Sequence, residues 1–186
     1  DAATKTLMAL EELLGKKVVA VLPLDLGGFS TLAAIDVAAR CGVPVLDTDG
    51  AGRAVSELSM QVYALNTAAS SPLVVSDVDA EHIELFKEKI DFKSAEQTSR
   101  ALAIKLGKPV YVARPVMTGK RIRTSSITNT LSASMRLGML LPKAVDPVRA
   151  VLIETHGSLL FEGVVSSLER ETRDGFTWTT LTMEGF

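Results

Sequence analysis

The sequence predicts an α/β fold with a mainly parallel sheet flanked by helices, followed by the start of a β-rich C-terminal domain. Two observations predict it. From Leu7 to Pro115, apolar residues at helical spacing alternate with short β-branched runs, and after Pro142 the pattern turns to strands.

The first helix places Leu7, Leu10, Leu13 and Leu14 on one face and stops at Gly15. Val18 to Leu22 follows as a strand, broken by Pro23 and the pair Gly27-Gly28. Ser30 or Thr31 can cap the next helix, whose stripe Leu32 to Ala39 ends at Cys41-Gly42. Val43 to Leu46 is the second strand and runs into Asp47-Thr48-Asp49-Gly50-Ala51-Gly52-Arg53. A helix carrying Leu58, Val62 and Leu65 leads to the strand Pro72 to Val75, which ends at Ser76-Asp77.

Two helices come next, Ala80 to Lys89 and Ser94 to Leu106, then the strand Pro109 to Ala113, closing at Arg114-Pro115. Thr118-Gly119-Lys120 reads as a turn, Ile122 to Thr130 as a Ser/Thr-rich connection, and Leu131 to Leu141 as an amphipathic helix. Beyond it, Ala150 to Glu154, Leu159 to Leu168 and Phe176 to Met183 read as strands, with a hairpin turn at Arg173-Asp174-Gly175. The domains are expected at 1–142 and 147–186. The N-terminus lacks an initiator Met and a signal-peptide pattern, and the chain stops just after the hairpin. It therefore reads as an interior piece of a longer protein, with both domains incomplete.

The chain has 186 residues, 47% of them hydrophobic and 23% charged, with a net charge of -2. That is enough apolar material for one sizeable core. A pI near 5.8 and the absence of any basic cluster beyond Lys120, Arg121 and Arg123 argue against nucleic acid as a partner. No apolar run approaches the ~20 residues of a membrane span. Single Cys41 excludes an internal disulfide and fits a reducing compartment, so a cytoplasmic location is expected.

In a parallel α/β sheet, ligands lie beyond the carboxyl ends of the strands. The residues there are Asp25 with Gly27-Gly28, Asp47 with Asp49, Ser76-Asp77, and Arg114 with Thr118-Gly119. The loop from Asp47 to Arg53 is the most informative. Two carboxylates two residues apart can hold a divalent metal or activate water, while Gly50 and Gly52 let backbone approach a ligand. The alternative is that Asp47 and Asp49 are turn and cap residues and that Arg53 pairs with Glu57. The glycines do not match a dinucleotide fingerprint or a P-loop. Neither His82 nor His156 has neighbours at metal-ligand spacing, and no nucleophile elbow is present.

The run Ala9 to Val18, the Asp25-Leu26-Gly27-Gly28 turn, and above all Pro44 to Ala54 with Glu57-Leu58 and Met60, resemble the S-methyl-thiohydantoin desulfurase family, whose genes often lie beside hydantoinase genes. Met117-Thr118-Gly119, Leu160 to Val165, Glu169-Arg170 and Gly175-Phe176 match in the same order. Asp25, where the family has Glu, and Phe29-Ser30 depart from the pattern but leave the acidic loop intact.

The resemblance implies hydrolysis of a 5-substituted S-methyl-thiohydantoin to a hydantoin with release of methanethiol. The expected catalytic residues are Asp47, Asp49 and Arg53. Asp25, Gly27, Gly28, Gly50, Gly52, Glu57, Thr118 and Gly119 are the expected substrate contacts, and a metal, if used, would sit on Asp47 and Asp49. The expected partners are a small heterocyclic substrate and further copies of the chain in a homo-oligomer. The competing expectation is a non-catalytic ligand-binding or assembly subunit of a hydantoinase-like system.

Overall fold

The computed structural model describes residues 1–66, 70–114, 117–173 and 176–186. The expectations at Pro115 and at the Asp174-Gly175 turn lie outside the described residues. Two compact units are present, Asp1–Ser134 and Met135–Phe186.

The first unit begins with α1 (Ala2–Leu14). Asp1 accepts amide hydrogens from Ala3 and Thr4, and Gly15 closes the helix in the left-handed conformation at φ 61°. An extended segment then leads to α2 (Gly28–Cys41), which Gly42 closes in the same way. β1 (Thr48–Asp49), a single 3₁₀ turn (Leu58–Met60) and α3 (Val62–Asn66) follow. After them come β2 (Leu73–Asp77), β3 (Ile83–Phe86), α4 (Phe92–Leu106) and β4 (Val110–Ala113). α5 (Gly119–Ser125), β5 (Ile127–Thr128) and the start of α6 (Thr130–Leu140) complete the unit.

Every residue of β2 is buried, because helices cover both faces of its sheet. On one face Leu73 and Val75 pack with Ala95 and Leu102 of α4. On the other, Ser76 shares a 2.5 Å hydrogen bond with Thr6 of α1. A strand buried on both sides reads as the continuous apolar run that the sequence shows here.

The mainly parallel sheet expected from the sequence is not formed. The three-stranded sheet has the order β3-β2-β4, with both ladders antiparallel, and β1 and β5 also pair antiparallel. The reason lies in the segment Ala80 to Lys89, expected to be a helix. Asp77 Oδ1 accepts the amides of Glu81 and His82, and Ala80 adopts φ 55°, so the chain reverses and Ile83–Phe86 lies back along β2. A link this short can join strands only as a hairpin. α4 then carries the chain across to the far side of β2. β3 and β4 thus run in the same direction, as a helical crossover demands, but β2 separates them. The expected strands Val18 to Leu22 and Val43 to Leu46 meet only in the isolated parallel bridge Val21–Val45.

Two further elements differ. Thr118 accepts the amide of Arg121 and starts α5 where a turn and connection were expected. In the second unit, Asp146 accepts the amide of Arg149 with Pro147 at the first helical position, which makes α7 (Pro147–Thr155) of the segment expected to hold a strand at Ala150 to Glu154. The long antiparallel pair β6 (Gly163–Arg173) and β7 (Phe176–Gly185) follows, with a register shift between Val165 and Ser167. The strand expected at Leu159 to Leu168 therefore begins and ends later.

Candidate functional site

Asp25 ends the first extended segment and is tied on both carboxylate oxygens. Oδ1 accepts the Ser30 hydroxyl at 2.5 Å and Oδ2 accepts the Val55 amide at 3.0 Å. Gly27 precedes α2 and donates its amide to Ser30 Oγ at 3.2 Å, while Gly28 is the first residue of that helix. The Leu26 amide bonds to Arg53 O, and the Gly50 amide bonds to Leu24 O. The two strand-end loops predicted from the sequence are therefore one structure, stitched together through main-chain groups.

Asp49 is fully buried. Its Oδ1 accepts the amides of Ala51 and Gly52, both at 2.6 Å, which makes the tight turn that Gly52 completes at φ 67°. Its Oδ2 is buried and has no hydrogen-bond partner. Asp47, two residues earlier, is exposed and points elsewhere. Oδ1 accepts the amides of Leu131 and Ser132, and Oδ2 accepts the Ser132 hydroxyl, so this carboxylate caps the start of α6.

The two aspartates therefore serve different partners, Asp47 being taken up by two amides and a hydroxyl at α6 while only Asp49 keeps a free oxygen, and they do not fit a shared divalent metal. Among the described residues, Asp77, Asp79 and Glu81 do come within metal-holding distance of each other, but the Lys108 ammonium lies 2.6 Å from Asp79 and 3.3 Å from Glu81. The Lys108 ammonium already sits among these carboxylates, bridging all three.

Arg53 is exposed, and among the described residues no ion pair joins it to Glu57, whose carboxylate accepts the Ser59 hydroxyl instead. Thr118 caps α5 and Gly119 is its first residue. Gly119 lines a cavity of about 770 Å³ together with Leu22, Leu24, Ser30, Tyr63 and Arg114.

Tyr63 and Arg114 extend the predicted site. Tyr63 is fully buried on α3 and its hydroxyl has no partner. Burial, and then the charge of Asp49, push its pKa above the usual phenol value, so the hydroxyl stays protonated. Arg114, 6% exposed, donates to Ser70 Oγ at 2.6 Å and Gln61 Oε1 at 3.0 Å, and its guanidinium sits 4.6 Å from the centre of the Phe92 ring. Burial lowers its pKa to about 10, which leaves it cationic at neutral pH, and its Nε has no partner. Arg114 stood among the strand-end residues read from the sequence. Tyr63 carried no such signal, because a lone aromatic in a short helix reads as core.

Family models decide the kinship. The model for the N-terminal domain of S-Me-THD-like proteins matches residues 1–87 and that for the C-terminal domain matches residues 90–186. The chain belongs to the S-Me-THD-like family. No curated protein matches it. A crystal structure of a protein from Chromobacterium violaceum is similar at TM-score 0.75 and 24% identity, the match covering 97% of this chain and 53% of that one. That likeness concerns the fold, and this S-Me-THD-like chain spans about half the length of the solved relative. No helix among its described residues is long and apolar enough to cross a membrane.

Proposed function

We propose that the protein is a hydrolytic desulfurase that converts a 5-substituted S-methyl-thiohydantoin into a hydantoin and methanethiol. One observation supports this placement of the chemistry: of the three carboxylates in the two stitched loops, Asp25 and Asp47 have both oxygens hydrogen-bonded, whereas buried Asp49 keeps one oxygen unpartnered and its charge acts on the Tyr63 phenol, whose hydroxyl is unpartnered too, as is Nε of the neighbouring Arg114. Buried polar groups without partners are costly, and they persist where a ligand completes them.

In this reading Asp49 Oδ2 takes a proton from water as the water oxygen bonds to the ring carbon that bears sulfur. Tyr63 and Arg114 donate hydrogen bonds to the ring atoms on which negative charge develops. The carbon–sulfur bond then breaks, the methanethiolate takes up the proton held by Asp49, and the second water proton passes from the new hydroxyl to the ring nitrogen as the ring carbon becomes a carbonyl. The balance is one water consumed and one methanethiol released, with no oxidant or reductant.

The test is methanethiol release by the full gene product from a panel of 5-substituted S-methyl-thiohydantoins, repeated with Asp49→Asn. Release that disappears in the variant while its melting temperature is retained supports the reading. No release by the parent protein from any substrate overturns it and favours the ligand-binding or assembly subunit.

A further inference from the structure

The cavity of about 770 Å³ is bordered by Lys16 through Leu24 without a gap on one side and by Val110 through Arg114 without a gap on another. Side chains alternate along an extended chain, so a space beside one face of a strand meets every second residue. This space meets every residue, which means that it faces the main-chain edges of both segments.

Hydrogen bonding identifies the edges. Val21 donates to Pro44 O at 3.0 Å and accepts from the Leu46 amide at 2.8 Å, so both its polar groups face Val43 to Leu46. By alternation, those of Ala20 and Leu22 face the opposite way. On the other side, the Asp77 amide donates to His82 O, which turns the polar groups of Val75 toward β3 and those of Val74 and Ser76 toward β4. The register pairs Val74 with Ala113 and Ser76 with Tyr111, leaving the groups of Val110 and Val112 on the outer edge. Val19, in the opposite segment, is 80% exposed although it belongs to a β-branched run.

We propose that this cavity is the slot of one extended, predominantly apolar strand, which hydrogen-bonds Ala20 and Leu22 along one edge and Val110 and Val112 along the other. It would join the two halves of the unit into one sheet. The strand comes from the same polypeptide, outside these 186 residues. Strands β3, β4, β6 and β7 of a second copy each already spend one edge on a neighbour, so none of them can fill a slot bounded on both sides. The solved relative, moreover, carries nearly as much chain again beyond the match. One end of the slot holds Leu24, Tyr63, Arg114 and Gly119, so the incoming strand also closes the candidate site. The inference rests on main-chain geometry and is independent of the desulfurase reading.

Amide hydrogen exchange tests it, with the 186-residue chain and the full gene product measured side by side. The amides of Ala20, Leu22, Val110 and Val112 are expected to exchange at least a hundredfold more slowly in the full product, while that of Val75 is slow in both. Unchanged exchange at all four positions overturns the proposal. Protection in the 186-residue chain that grows with its concentration overturns it in favour of a second copy.

Discussion

Gly50 and Tyr63 are in such close contact that a Cβ on Gly50 would lie 2.5 Å from Tyr63 Cε2 and 2.5 Å from the carbonyl oxygen of Leu24. The Leu24 oxygen also accepts the Gly50 amide, and Gly50 O accepts the amide of Val62, one residue before the tyrosine. This glycine thus sets the position of the buried hydroxyl. Gly50→Ala is expected to destabilise the protein by about 1–3 kcal/mol, because the backbone carbonyl cannot move aside cheaply. Chemical denaturation of the parent and variant checks it.

Tyr63→Phe removes a buried hydroxyl that has no partner. Stability is expected to be unchanged or to rise by up to ~1 kcal/mol, since no intramolecular hydrogen bond is lost. Under the proposed mechanism, turnover falls by about 10²–10³, the usual effect of deleting one donor to developing charge. Thermal unfolding and methanethiol release, read on the same sample, separate the two effects.

Asp47 and Asp49 are expected to behave oppositely although they lie two positions apart. Asp47→Asn keeps an acceptor at the start of α6 and should retain turnover, and Asp47→Ala should cost ~1 kcal/mol of stability through loss of the cap. Asp49→Asn should abolish turnover. Loss of turnover in Asp47→Asn, with folding intact, would return Asp47 to the mechanism.

Acid stability should depend on Asp77. Burial raises its pKa, but the amides of His82 and Glu81 and the charge of Lys108 outweigh this and hold it below the ordinary 3.8. A depressed folded-state pKa contributes stability that is present above the unfolded value and lost as pH falls through the folded one. Stability should therefore fall as pH drops below about 3.8, and Asp77→Asn should flatten that limb. Urea titrations between neutral pH and pH 2 measure it.

The loop Asp47 to Arg53 was legible in the sequence because its chemistry is local: short acidic side chains two apart, and glycines where backbone turns or packs closely. Helices α1, α2 and α4 were legible for the same reason, each ending on a glycine that takes positive φ. Which carboxylate keeps a free oxygen was not legible. Asp47 meets its partners 84 and 85 positions away, and Asp25 meets Val55 30 positions away. Strand direction was equally hidden. Ile83–Phe86 has helix-forming neighbours, and only pairing with β2 makes it a strand, an instance of tertiary contact overriding propensity.

By itself, then, the sequence determined the family, the α/β composition and the turn chemistry of the site loop, all of which rest on residues close together in the chain. Tertiary structure alone decided the antiparallel order β3-β2-β4, the recruitment of Tyr63, and the isolation of Asp49 from Asp47. The physical reason is that hydrogen-bond satisfaction in a buried site is settled by groups far apart in sequence, whose meeting no local pattern records.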